Sequence, residues 1–156
     1  MNAPIANHTE APVQLVSRYD VVIIGAGLAG CAAAQALALA DPGGRRKILL
    51  IDRHPGSSPR FAGEFIHPRG AQILADLGFY GALKAAGAVD VDGFTVLERA
   101  DGRYVELPYA EVPEQRSQGL AAHHKTLVRT MRQVVRDRPQ VDLFEGWTIQ
   151  ELLRGS

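Results

Sequence analysis

Three glycines follow a strand-like run at the spacing G-x-G-x-x-G: Gly25, Gly27 and Gly30. In this pattern the first glycine permits a tight turn, and the second lets backbone N–H groups approach a pyrophosphate. The third lets the following helix pack closely on the sheet. Leu28 and Ala29 open that helix, where the positive end of the helix dipole favours a bound phosphate. The spacing therefore predicts a dinucleotide-binding loop made of these five residues.

An acidic residue ends the next strand-like run of the chain. Asp52 follows the loop by roughly 20 residues, the distance at which such an acid accepts hydrogen bonds from ribose hydroxyls. Charge-assisted hydrogen bonds of this kind contribute about 1.5–3 kcal/mol each. An acid at this position disfavours a 2′-phosphate, so the site favours FAD or NAD over NADP.

These residues require a β-α-β unit to bring them together. The apolar run Tyr19–Ile24 predicts a buried parallel strand, and the alanine-rich segment after the glycine loop predicts a helix. A second buried strand is predicted at Lys47–Asp52. Strand-helix-strand crossovers are nearly always right-handed. The predicted fold class is therefore α/β, with a Rossmann-like βαβ domain and the beginning of a β-sheet substrate domain.

The remainder of the chain alternates between short elements and loops. Residues 53–68 are rich in proline and are predicted to be loop. The further predicted helices are Pro68–Leu77, Phe79–Ala86 and His124–Arg138. The further predicted strands are Phe94–Arg99, Arg103–Leu107, Val141–Phe144 and Thr148–Leu153, the first two joined as a hairpin at Asp101-Gly102. On the last helix, Leu127 and Met131 are expected to face the core, and Arg129, Arg132 and Arg136 to face solvent.

Several charged residues of the proline-rich segment are candidates for cofactor contacts. Arg53 either stacks near an adenine ring or is a surface charge. Arg60 either bridges pyrophosphate oxygens through its guanidinium or is solvated. Glu64 has three interpretations: an ion pair with Arg60 or Arg69, an acceptor at the following helix N-terminus, or a carboxylate facing a flavin and substrate cleft.

Composition excludes several classes of function. The 156-residue chain has 17 Lys plus Arg and 17 Asp plus Glu, and this zero net charge argues against a nucleic-acid binder. A single cysteine, Cys31, excludes an internal disulfide and a cysteine-rich metal site, and no metal site is predicted. Residues 1–17 do not resemble a secretory signal and are expected to form a flexible tail. No transmembrane segment is predicted, and the expected location is cytoplasmic.

With Asp52-Arg53, the proline-rich loop and RFAGEFIHPRGAQILADLG, the chain resembles the aromatic-hydroxylase-like FAD-dependent monooxygenases, including their squalene-epoxidase-like branch. The resemblance implies FAD as cofactor and NAD(P)H as transient reductant. It also implies that O2 is used to hydroxylate or epoxidise a small hydrophobic or aromatic substrate. The family has a helix with the pattern R-x-x-L-x-x-x-L. Here His124 stands at the arginine position, where the resemblance implies a hydrogen bond to the flavin ribityl chain.

The chain also departs from the family pattern. The family's second FAD motif, a Gly-Asp with nearby His and Pro, is absent, and family members are more than twice as long. The chain is therefore expected to be an N-terminal part, partnered by the C-terminal half of the same protein or a chain supplying it. Alone it is expected to be inactive, and no catalytic residue is assigned beyond a cleft-facing Glu64. The expected domains are a FAD-binding domain of residues 18–90 and 118–156 and a hairpin of residues 91–117.

Three other functions remain open on the sequence. The halogenase branch of the superfamily needs a lysine in the hairpin region, and residues 88–100 contain none. A flavin-dependent reductase of isoprenoid double bonds is compatible with the loop at 60–70. A non-catalytic dinucleotide-binding fragment is the alternative from outside the enzymes.

Overall fold

The computed structural model describes residues 18–56, 62–97, 102–113 and 116–153. Within these residues the strands are β1 (Val21–Ile24), β2 (Ile48–Asp52), β3 (Gly63–Ile66), β4 (Val89–Val91), β5 (Gly93–Leu97), β6 (Tyr104–Pro108), β7 (Gly119–His123) and β8 (Val141–Glu145). The helices are α1 (Leu28–Leu39), α2 (Pro68–Asp76), α3 (Tyr80–Ala85) and α4 (His124–Arg136), and Tyr109–Glu111 form a 3-10 turn. The predicted N-terminal tail, Arg60 and Asp101 lie outside the described residues.

The predicted β-α-β unit is confirmed. β1, β2 and β8 form a parallel sheet with β2 in the centre. The register pairs Val21 with Ile48 and Ile48 with Val141, so the three strands end at the same edge. α1 begins directly after the glycine loop and returns the chain from β1 to β2. The carboxyl edge of this sheet is thus where the glycine loop and Asp52 meet.

The core lies where α1 and α4 pack against the parallel sheet and against each other. α1 contributes small side chains, with Cys31 and Ala34 fully buried, so a neighbouring helix can approach it closely. α4 contributes larger side chains, with Leu127 and Met131 buried as the helical period predicts. Burying a leucine or methionine side chain contributes about 1.5–3 kcal/mol. The same packing that stabilises the domain therefore fixes α4 beneath the glycine loop.

A second sheet, antiparallel, has the order β3-β7-β4. The prediction that residues 53–68 are all loop is wrong for Gly63–Ile66, which form β3. β3 pairs with β7, with Glu64 opposite Ala122. These strands are three to five residues long and contain glycine, alanine and acids, which are depleted in strands. They form because tertiary pairing overrides a weak local preference.

The hairpin is also formed, as a two-stranded sheet of β5 and β6 with Val96 opposite Val105. Residues 98–101, which connect the two strands, lie outside the described part. α2 starts at Pro68 and is followed by Gly78, whose φ is +79°, in agreement with the predicted helix end.

Two apolar segments differ from expectation. Residues 148–153 were predicted as a strand, but they pair with no strand of the described chain, and Leu152 and Leu153 are exposed. β1 was predicted to be buried on both faces, yet Val22 is 51% and Ile24 70% exposed. β1 is an edge strand here, and no element of the described residues covers that face. Among the described helices, none has the length and apolar character needed to cross a bilayer.

Candidate dinucleotide-binding site

The glycine loop has the geometry that its sequence predicts. Gly25 has a φ of +105°, which favours glycine, and its N–H donates to the carbonyl of Ile51 at 2.7 Å. A Cβ placed on Gly30 would lie 1.8 Å from the carbonyl oxygen of Gly25. A Cβ placed on Gly27 would instead meet no atom within 4 Å. The third glycine is thus required for packing, whereas the second borders open space.

The N-terminus of α1 offers free backbone donors beside that open space. Gly27 is the N-cap residue, and no side chain caps the helix. The first turn of any α-helix leaves its N–H groups without intrahelical partners. Here these are the N–H groups of Leu28, Ala29 and Gly30. Uncapped helix donors beside open space are the two features that pyrophosphate binding requires, and a Cβ at Gly27 would fill part of that space.

Asp52 lies beside the loop at the end of β2. Its Oδ2 accepts the N–H of Ala26 and its Oδ1 accepts the N–H of His54, both at 2.8 Å. Burial disfavours the charged form by desolvation. The two backbone N–H groups and the charge of Arg132 outweigh this effect, so the pKa of the Asp52 carboxyl lies below its usual value. Asp52 is therefore an anchored carboxylate at neutral pH, and its Oδ1, which takes one donor, has acceptor capacity left for a ribose hydroxyl.

Arg132 is the site residue that the sequence interpretation placed wrongly. It was expected to face solvent, but it is only 4% exposed. Its Nε donates to the carbonyl of Ala26 at 2.7 Å, and its Nη2 lies 2.9 Å from Oδ2 of Asp52. The helical period indicates this burial. Arg132 follows Val128 by four residues and precedes Val135 by three, so it lies on the same helix face as these two buried valines.

The other basic candidates are less constrained. Arg53 is exposed, and its Nε lies 3.0 Å from Nε2 of His54. Arg60 is outside the described residues, so its predicted phosphate contact stays a prediction. Among the described residues, no group of three or more His, Cys, Asp or Glu side chains is placed to hold a metal ion.

Glu64 and His124, predicted separately as cofactor contacts, lie together. His124 Nδ1 is 2.9 Å from Oε1 of Glu64, a hydrogen bond in which the ring donates when Nδ1 carries the proton. The pairing of β3 with β7 brings the two residues together. The N–H of His124, which directly follows β7, also donates to the carbonyl of Ala62, which directly precedes β3. Glu64 therefore contacts His124 from a strand, and it is not a loop residue at the start of α2.

We expect the Glu64–His124 contact to contribute modestly to stability. A double-mutant cycle of Glu64→Ala and His124→Ala, followed by urea unfolding, should give a coupling free energy of about 0.5–1.5 kcal/mol. The matched control pairs Glu64→Ala with Arg136→Ala, which shares no contact with Glu64 and should be additive. A coupling of zero between Glu64 and His124 would show that the contact is not maintained in solution.

Cys31 is buried under the glycine loop and is not placed for redox chemistry. Its thiol is fully buried, and its Sγ lies 3.6 Å from the carbonyl oxygen of Ala26. Desolvation by burial raises the pKa of the thiol from 9.0 to about 12.

We therefore expect native Cys31 to resist alkylation by iodoacetamide at pH 8, because the thiolate is scarcely populated there. The protein unfolded in guanidinium chloride should react as an ordinary thiol, which provides the control. Labelling of the native protein at the rate of the unfolded one would contradict the buried position.

Most of the chain is similar in sequence to known proteins. Residues 23–86 match the family described as NAD(P)-binding Rossmann-like domain. Squalene monooxygenase of Mus musculus is 28% identical over 145 residues, which cover 92% of this chain and 25% of the relative. Squalene epoxidase of Schizosaccharomyces pombe is 30% identical over 136 residues, which cover 86% of this chain and 28% of the relative.

The resemblance to the squalene-epoxidase-like FAD-dependent monooxygenases is confirmed. Solved structures agree at the level of the fold. A probable FAD-dependent monooxygenase from Pseudomonas aeruginosa, pqsL, gives a TM-score of 0.70 at 17% identity, over 88% of this chain and 35% of that one. A flavoprotein/dehydrogenase from Cytophaga hutchinsonii gives 0.73 at 22% identity, over 88% of this chain and 32% of that one. The Rossmann-like α/β fold class is therefore confirmed, and the chain spans about a quarter to a third of these proteins.

Proposed function

We propose that this chain is the part of an FAD-dependent monooxygenase that binds the ADP half of FAD. The glycine loop, the uncapped N-terminus of α1 and the ionised Asp52 lie together at one sheet edge, and this arrangement supports the binding of an ADP group. Its relatives along 86–92% of the chain are squalene monooxygenases and epoxidases, which supports this class over other dinucleotide-binding enzymes.

Each residue has a defined part in the proposal. The N–H groups of Leu28, Ala29 and Gly30 bind the pyrophosphate, and Asp52 accepts the ribose hydroxyls. Arg53 lies near the adenine end. FAD, when bound, supplies the redox chemistry between NAD(P)H, O2 and a small hydrophobic substrate.

The remaining candidates act further along the cofactor in this proposal. Arg60 contacts the pyrophosphate. Glu64 and His124, as a hydrogen-bonded pair, lie on the flavin side, where His124 contacts the ribityl chain and orients the carboxylate of Glu64. Glu64→Gln should then leave FAD affinity unchanged and slow substrate oxidation. A loss of stability alone would assign Glu64 a structural role.

The described chain also leaves apolar surface for a further segment. One face of β1 is open at Val22 and Ile24, and hairpin residues on both strands, including Phe94 and Tyr104, are 50% and 63% exposed. We propose that the C-terminal half of the same protein, or a chain supplying it, covers these surfaces. In this arrangement residues 18–90 and 118–156 form the FAD-binding domain, and residues 91–117 begin the substrate sheet. The isolated chain would then be inactive, and the location cytoplasmic, with no nucleic-acid partner.

The activity is tested on the full-length protein with squalene as the first probe. NAD(P)H and ¹⁸O2 are supplied, and the product is analysed by mass spectrometry. Incorporation of one ¹⁸O atom per NAD(P)H consumed is the expected result for a substrate that fits. A product reduced at a double bond without oxygen would favour the reductase alternative. Halide incorporation in the presence of bromide would favour the halogenase. A protein that binds dinucleotide but consumes no NAD(P)H with any apolar alkene or aromatic compound would favour a non-catalytic module.

A further inference from the structure

One buried guanidinium joins the segments that build the proposed dinucleotide site. Besides Ala26 of the glycine loop and Asp52 of β2, Arg132 contacts the segment after β2 and the end of β8. The two N–H groups of its Nη1 are shared among three acceptors: the carbonyl of His54 at 3.1 Å, the carbonyl of Gly56 and the carboxylate of Glu145. Arginine suits this position because its planar fork carries five N–H donors and stays charged.

The charges around Arg132 are balanced. A buried cation is costly unless it is paired, and here both Asp52 and Glu145 pair with it. Glu145 is shared, since its Oε2 also accepts from Arg136 at 2.7 Å. Arg136 is about half-exposed and touches neither the glycine loop nor Asp52 in any described contact. Both arginines contact Glu145, but only Arg132 contacts the glycine loop and Asp52.

Ala26, Asp52 and Arg132 form a closed ring of hydrogen bonds. The N–H of Ala26 donates to Oδ2 of Asp52, Arg132 Nη2 contacts that same oxygen, and Arg132 Nε donates to the carbonyl of Ala26. The backbone N–H and the backbone carbonyl of Ala26 are thus both held by the two side chains. The ring fixes the plane of the Asp52 carboxylate relative to the loop. Oδ2 takes two donors and Oδ1 takes only the N–H of His54, so the remaining acceptor capacity lies on Oδ1.

We propose that Arg132 is a positioning residue that sets the ribose selectivity of the dinucleotide site. It holds the Asp52 carboxylate and the glycine loop in the mutual arrangement in which one ligand can contact both. This inference rests on the proposed function, because it assumes that the site takes an adenine dinucleotide. A purely structural role for Arg132 would affect stability but not the discrimination between ribose and a ribose lacking its hydroxyls.

The test measures that discrimination by calorimetry on the full chain. The probes are ADP and 2′,3′-dideoxy-ADP. The readout is the dissociation constant of dideoxy-ADP divided by that of ADP. In the unmodified protein the ratio should be about tenfold or more, as expected for hydrogen bonds to a carboxylate. Arg132→Lys keeps the charge but cannot span Ala26 and Asp52 together. It should weaken ADP binding about tenfold, leave dideoxy-ADP nearly unchanged, and bring the ratio close to one.

Two further variants keep the test decisive if Arg132→Lys does not fold. Glu145→Gln removes the charge of one of the two carboxylates that pair with Arg132 and leaves Asp52 and Arg132 themselves unchanged, so it should lower the ratio by less than Arg132→Lys does. Arg136→Lys is the matched control, since it touches the same glutamate, and it should leave the ratio unchanged. A ratio that stays at its original value in every folded variant at Arg132 or Glu145 overturns the inference alone. An unmodified protein that binds neither nucleotide overturns the proposed function as well.

Discussion

Gly30→Ala is expected to unfold much of the protein at temperatures where the unmodified chain is folded. The added Cβ would lie 1.8 Å from the carbonyl oxygen of Gly25, a distance that no relaxation of a flexible side chain can relieve. The backbone of α1 must move away from β1, which opens the core around Cys31 and Ala34. Such overpacking costs about 3 kcal/mol or more, a large part of the stability of a domain of this size. The midpoint of thermal unfolding should fall by roughly 10 °C.

The matched control is Gly81→Ala, a glycine in α3 at which an added Cβ would meet no atom within 4 Å. Alanine is favoured over glycine in helices by up to about 0.5–1 kcal/mol, and Gly81 lies in the first turn of α3, so this variant should melt at or slightly above the unmodified temperature. Differential scanning calorimetry compares the two. If Gly30→Ala melted like Gly81→Ala, the close approach of α1 to the loop would not exist in solution.

Gly27→Ala is expected to leave the fold intact and to weaken FAD binding strongly. Gly27 has φ −79° and ψ −167°, which alanine adopts freely, and its added Cβ would meet only open space. Alanine is a poorer N-cap than glycine, so a loss of up to about 1 kcal/mol is expected. The methyl group would occupy the space where the pyrophosphate approaches the N–H groups of α1. FAD affinity should therefore fall about a hundredfold.

The measurement is a flavin fluorescence titration together with a urea unfolding curve for the same sample. Gly81→Ala is again the control, because its added methyl group lies away from the loop. A variant at Gly27 that binds FAD as tightly as the unmodified protein would show that the pyrophosphate does not lie at this helix terminus.

The local part of the fold was predictable from sequence because its signals are local. The glycine spacing, the alanine-rich helix and Asp52 at the end of an apolar run together define β1, α1 and β2, and all three elements are observed. Glu64 was recognised as a candidate but was placed in a loop, because the strand that holds it exists only through pairing with β7. That strand is only four residues long and lies in a proline-rich segment, so its own sequence does not predict a strand.

The glycine loop and Asp52 of the site were predictable from sequence, whereas Arg132 was not. The backbone donors and the acid follow from residue types at fixed spacing. Arg132 was missed because an arginine on a helix is usually a solvated charge, and its buried position depends on two acids from distant segments, Asp52 and Glu145. Sequence alone does not place those acids in one cluster. The helical period of α4, which groups Arg132 with Val128 and Val135, was the available clue.

A comparison of FAD with FMN as ligands of the full chain shows whether the glycine loop and Asp52 hold the ADP half of the cofactor. Both carry the same flavin ring and ribityl phosphate, but only FAD has the adenosine and second phosphate that the glycine loop and Asp52 are proposed to hold. We predict that FAD binds and that FMN binds at least about a hundredfold more weakly. FMN binding as tightly as FAD, or no binding of FAD at all, would contradict the assignment of this site to the ADP half of the cofactor.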